Sequence, residues 1–147
     1  TRRSGMVTRV LVPMDDSAMA ERALEYAIET CVDPEITVLH VVGSATMMMG
    51  DAVSLALEDD MDAAARERAE PVFERARRLA DEHGVDIRTR VAVGDPSRAI
   101  INRADDYDTV VMGSHGKHSE DIARGFLIGN VARKVFRRSP VPVTTVR

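Results

Sequence analysis

The sequence predicts a single α/β domain with a doubly wound parallel sheet and helices on both faces. Three observations carry that expectation. Apolar, β-branched runs recur at Val7–Pro13, Ile36–Val42, Thr109–Met112 and Val141–Val146. These runs are nearly continuous, which is the habit of strands buried on both faces. Helical patterns separate them, and strands alternating with helices imply right-handed crossovers in a parallel sheet. The chain of 147 residues is long enough for one core and too short for two.

Each element follows from its own pattern. A fifth run, Ile87–Val93, alternates apolar residues with Arg and Thr, as an edge or half-buried strand does. Ser17–Thr30 places Ala20, Ala23, Leu24, Ala27 and Ile28 on one helical stripe, with Asp16 or Ser17 able to cap it. A charged segment from about Asp51 to His83 carries a second stripe, and Gly84 suits the position after its end. Pro71 is expected to kink or restart that helix, because proline removes an internal hydrogen bond. Asp95 or Pro96 opens a short helix reaching about Ala104. The last helix spans roughly Gly129 to Arg137 and stops at Ser139–Pro140. The strand order is not readable from these patterns.

Composition excludes several functions. The net charge of −4 and the 3% of aromatic residues, with no Trp, leave neither the electrostatic footprint nor the stacking platform of a nucleic-acid binder. No apolar run approaches the roughly 18 residues of a membrane span, so no membrane partner is expected. The one cysteine, Cys31, allows no internal disulfide and fits a reducing, cytoplasmic setting. Cys31 itself reads as a small apolar residue near a helix end. Thr1–Gly5 read as an expression-vector remnant, with the domain occupying residues 6–147.

Ligands of doubly wound sheets bind beyond the carboxyl ends of strands, where the winding reverses. The loop after the fourth strand reads Gly113-Ser114-His115-Gly116-Lys117-His118-Ser119. Glycines let the backbone approach a ligand, and successive N–H groups form an anion-binding nest. The helix opening at Gly129-Asn130 adds an N-terminus that attracts phosphate. Ser114, His115, Lys117 and Asn130 supply further donors. A surface loop whose glycines merely turn the chain explains the same residues equally well. Replacing Gly113 and Gly116 with Val is expected to abolish anion binding without unfolding the domain.

The turn after the first strand is Pro13-Met14-Asp15-Asp16-Ser17. Asp15 there either accepts hydrogen bonds from a ribose hydroxyl or an adenine amine, or helps cap the next helix. The Walker A spacing and the G-x-G-x-x-G dinucleotide fingerprint are both missing, so neither a P-loop NTPase nor a standard NAD enzyme is supported. His40, in mid-strand, reads as a packed core histidine. His115 and His118 have no third ligand in the sequence, which argues against zinc. Met47–Met49 read as an apolar flap. Arg133, Lys134, Arg137 and Arg138 suit the last helix, partly through its C-terminal dipole.

Five blocks in order resemble the universal stress protein family. They are Val10–Ser17, Thr37–Val41, Gly94–Pro96, Asp108–Gly116 and Ser139–Val143, and the match covers the chain from Val7 to Arg147. The resemblance implies a Rossmann-like fold, adenine nucleotide alpha hydrolase-like, with strand order 3-2-1-4-5 and four helices. It implies an adenine-nucleotide site for ATP or AMP, with or without Mg²⁺. The loop glycines Gly113, Gly116 and Gly129, together with Asn130, would hold ribose and phosphates. Asp15 and the backbone at Val41 would meet the adenosine. The resemblance also implies a stress-response sensor or regulator, and with no positioned general base visible it is at most a slow ATPase. Homodimerisation through the last strand, residues 141–146, is implied as well, and an unpaired apolar edge invites it.

The chain departs from the family pattern twice. Twelve residues, Lys117 to Ile128, separate Gly116 from Gly129 where the pattern has nine, and Asn130 replaces Ser or Thr. Asn retains helix-capping and phosphate-donating ability but is a poor substitute where a hydroxyl touches Mg²⁺. These departures favour a rival reading, a dimerisation and partner-binding domain without nucleotide. A third, a Rossmann-like enzyme of another class, lacks its fingerprints.

Overall fold

The computed structural model describes residues 8–43, 58–115 and 129–147. Among the described residues strands and helices alternate: β1 (Thr8–Pro13), α1 (Ala18–Thr30), β2 (Pro34–Val42), α2 (Glu58–Glu82), β3 (Ile87–Val93), α3 (Pro96–Ala104), β4 (Thr109–Gly113), α4 (Asn130–Arg138) and β5 (Val143–Val146). The five strands form one parallel sheet of order β3-β2-β1-β4-β5. That is the order the family resemblance implied.

Side chains of adjacent strand positions go to opposite faces, and both faces are covered. Val10, Val12, Ile36, Val38 and Val111 pack under α1 and α2, against Ala23, Leu24, Ala69 and Phe73 among others. Leu11, Leu39, Val110 and Met112 pack under α3 and α4, against Ala99, Ile100, Ala132 and Val135. Double burial is why β1 and β4 read as unbroken apolar runs. Alanines on the helix faces let the helices lie close to the sheet. At the β3 edge, exposed Arg88 and Arg90 alternate with inward residues and guard the edge with charge. At the other edge β5 is half-buried throughout and carries no charged residue.

Local chemistry explains the boundaries. Ser17, not Asp16, is the N-cap of α1, its Oγ accepting from the Ala20 N–H at 3.1 Å. Asp95 caps α3, accepting from the Arg98 N–H at 3.0 Å and the Ser97 hydroxyl at 2.7 Å. These two bonds hold its carboxyl below the usual carboxylate range. Gly84 follows α2 with φ of +69°, as its expected place after the helix requires. Gly94 turns the chain out of β3 with φ of +132°, a conformation that side chains resist.

Two expectations are corrected and one is narrowed. Of the kink or restart expected at Pro71, the restart does not occur, since α2 is one helix through that residue. Pro71 is exposed, so the carbonyl that loses its partner is on the solvent side of the helix. The last strand begins at Val143 rather than Val141. Pro140 and Pro142 cannot donate to a ladder, and the Pro142 carbonyl instead accepts from Val110 N and the Thr109 hydroxyl. Finally, β2 begins at Pro34, two residues early, because its backbone already pairs with Thr8. The segment before Glu58, including Met47–Met49, lies outside the described residues.

Candidate functional site

The winding of the sheet reverses between β1 and β4, since β2 and β3 lie to one side and β5 to the other. Register pairs between the two strands are Val10–Thr109 and Leu11–Val110. Beyond them β1 continues to Pro13 and β4 to Gly113. The carboxyl ends of the two strands thus run on past their shared ladder, which is where a crevice opens in such sheets.

The Pro13–Ser17 turn borders this crevice and is fixed from several sides. The Met14 N–H donates to the Leu39 carbonyl at 2.8 Å. The Met14 carbonyl accepts from His40 Nδ1, also at 2.8 Å. Asp15 Oδ1 accepts from the Ser17 N–H at 2.9 Å, which closes the turn. From α2, Arg75 reaches the Asp16 carbonyl and pairs with Glu21 on α1. Asp15 is therefore a turn former, and it is half-buried at the strand's carboxyl end. Val41 lies near the end of β2, opposite Ala92 of β3.

The loop after β4 meets α1 through Gly113. A Cβ added there would lie 3.0 Å from Met19 Cβ and 3.1 Å from the Met19 carbonyl carbon. Gly113 is thus required by the approach of β4 to the first turn of α1, and its φ is not positive. This corrects the expectation that its replacement by Val spares the fold. Ser114 is almost completely buried and serves as a junction. Its N–H donates to the Val146 carbonyl at 2.8 Å, and its carbonyl accepts from the Gly129 N–H at 2.7 Å. Its hydroxyl lies 3.2 Å from His115 Nδ1 and 3.6 Å from Met19 Sδ. His115 is buried as well.

The base of the long loop is thereby closed, because Ser114 and Gly129 are bonded directly. Gly129 is the N-cap of α4 and makes no side-chain cap. A Cβ on it would sit 3.2 Å from the Ser114 carbonyl oxygen, so this glycine too permits a close approach. Asn130 is the first helical residue rather than the cap, which corrects the capping role expected of it. Gly116 and Lys117 lie outside the described residues, as does His118.

The structure therefore brings together Pro13, Asp15, Gly113, Ser114, His115, Gly129 and Asn130 at the β1–β4 reversal, with Val41 on the adjoining strand. Sequence reasoning missed the Met19–Gly113 approach and the hydrogen bond of His40, which is half-buried rather than fully packed in the core. Neither contact has a local signal: His40 and Met14 are 26 positions apart. Among the described residues no three His, Cys, Asp or Glu side chains gather to hold a metal ion. No helix among them is long and apolar enough to cross a membrane.

Known proteins resemble both the sequence and the fold. A model of the universal stress protein family matches residues 6–147. The universal stress protein MJ0577 of Methanocaldococcus jannaschii is 29% identical over 160 residues, covering 98% of this chain and 97% of its own length. Its solved structure superposes with a TM-score of 0.76 at 28% identity, over 96% of each chain. A universal stress protein from Archaeoglobus fulgidus in complex with dAMP superposes with a TM-score of 0.65 at 22% identity, over 95% of this chain and 98% of its own. An Arabidopsis thaliana member with AMP bound gives 0.62 at 22%, over 95% and 90%. The last two likenesses speak to the fold alone, whereas the family match spans every described element. The chain belongs to the universal stress protein family.

Proposed function

We propose that this chain is a stress-response protein that binds an adenine nucleotide, ATP or AMP, as a sensor or regulator. The observation that carries the reading is the Ser114–Gly129 clasp at the β1–β4 reversal. The bond ties Gly129, the N-cap of α4, to the residue that follows β4, so the N-terminus of α4 lies beside the crevice. A phosphate fits there, at the positive end of a helix whose N-cap has no side chain to block approach. Asp15 and the Val41 backbone would take the adenosine, Gly113, Ser114 and His115 would shape the loop, and Gly116, Lys117, Gly129 and Asn130 would face the phosphates. The nucleotide complexes of the Archaeoglobus and Arabidopsis relatives support an adenine ligand in this family.

Catalysis is limited in this reading to slow ATP hydrolysis at most. Asn130 offers an amide where a hydroxyl would meet Mg²⁺, which supports little phosphoryl-transfer chemistry. The uncharged β5 edge supports a homodimer formed through residues 141–146. The single cysteine suits a cytoplasmic location. A second reading, a partner-binding domain without nucleotide, is favoured by the three-residue insertion and by Asn130.

The test is to denature protein purified from cells and identify any released nucleotide by mass spectrometry. Release of ATP or AMP in near-stoichiometric amount is expected. Absence of any nucleotide, together with no heat on titration with either, would select the partner-binding reading.

A further inference from the structure

We infer that His40 is a positioning residue for the purine-and-ribose end of the site, acting through Asp15. The inference rests on the adenine-nucleotide reading above. A carbonyl oxygen only accepts, so the 2.8 Å contact with the Met14 carbonyl requires a proton on His40 Nδ1. The Met14 N–H is bonded at the same time to the Leu39 carbonyl. Both backbone groups of Met14 are thereby tied to the end of β2, one by the strand and one by a side chain. Met14 is buried, and the next residue is Asp15, whose Oδ1 is fixed by the Ser17 N–H.

The residue after His40 is Val41. One histidine thus couples the two segments assigned to adenosine, the β2 end and the Asp15 turn. Without its donor the Met14 carbonyl loses a partner, and the turn gains freedom where a carboxylate must be aimed. Preorganisation of such groups governs affinity more than the area they bury does.

The test uses AMP titrations of four proteins: the wild type, His40→Leu, Asp15→Ala and the double variant. His40→Leu is expected to weaken AMP binding roughly tenfold in the wild-type background. In the Asp15→Ala background it should cost less than about twofold, because the acceptor it aims is already gone. His40→Gln, which keeps an N–H donor, should restore part of the loss. Equal losses in both backgrounds, or no loss, would overturn the inference and assign His40 a purely structural role.

A readout without nucleotide separates this inference from the reading it rests on. Nitrogen NMR should find the proton on His40 Nδ1 in the free protein, and hydrogen exchange at the Ser17 amide should quicken in His40→Leu. If the wild type binds no AMP while these hold, the nucleotide reading fails and the tether stands. If AMP binds but Nδ1 carries no proton, the positioning role fails alone.

Discussion

Replacing Gly113 with alanine tests whether that glycine serves packing or ligand approach. The new Cβ would meet Met19 Cβ at 3.0 Å, the Met19 carbonyl carbon at 3.1 Å and Ala20 N at 3.3 Å. Ordinary contacts between such atoms lie at about 3.5–4.0 Å, so β4 or the first turn of α1 must retreat by roughly half an ångström. Two of these atoms are backbone and the third is a Cβ, so no rotamer change relieves them. Overpacking of this kind costs about 1–3 kcal/mol. The smaller entropy of an unfolded alanine chain returns about 0.4–1 kcal/mol of that. The net loss lies between about 0 and 2.6 kcal/mol and centres on about 1.3 kcal/mol, which lowers Tm by roughly 3–5 °C for a domain of this size. Thermal unfolding followed by circular dichroism measures it. Gly129→Ala is the internal comparison: its nearest contact would be 3.2 Å and the next 3.5 Å, so it should lose less. A Gly113→Ala variant as stable as the wild type would refute the packing argument and return the glycine to a purely ligand-facing role.

The other predictions concern separate parts of the fold. Asp95→Ala should cost about 1 kcal/mol by removing the α3 cap, whereas Asp95→Asn should cost a few tenths. Because the folded pKa of Asp95 is lowered, its contribution is present above about pH 4 and is lost as pH falls through the lowered value, so Asp95→Asn should flatten stability on that acid limb in pH-dependent urea melts. Burial pushes the Cys31 thiol up, so iodoacetamide at pH 7.5 should alkylate it more slowly than it does glutathione; a rate equal to glutathione would contradict the burial. Sedimentation at micromolar concentration should find a dimer, and a monomer would remove β5 as the pairing edge.

The parts of the fold legible in the sequence are those set by local pattern. Double burial wrote β1 and β4 as continuous apolar runs, and Arg88 and Arg90 marked β3 as an edge or half-buried strand. Gly84 and Asp95 marked a helix end and a helix start through backbone chemistry that needs no partner. What escaped was non-local or depended on one hydrogen-bond choice. Asp16 and Ser17 are both good caps, and only the bond to the Ala20 N–H chooses between them. Asn130 is a preferred cap residue, yet Gly129 takes the position because its N–H is bound to the Ser114 carbonyl across the loop. The start of β5 shifted because a proline carbonyl accepts while its nitrogen cannot donate. In the site, Asp15 and the loop were visible as chemistry, but the reason for Gly113 lies in α1, far away along the chain. The strand order came from the family resemblance, since five strands of similar composition contain nothing that ranks them.

The central claim, an adenine nucleotide seated at the β1–β4 reversal, is tested most directly by titrating AMP into ¹⁵N-labelled protein. Shifts should concentrate at Asp15, Val41, Gly113, Ser114, Gly129 and Asn130, while the amides of Arg88 and Arg90 at the far edge stay in place. Shifts spread evenly over the surface, or saturating binding that leaves Asp15 and Gly129 unmoved, would contradict it.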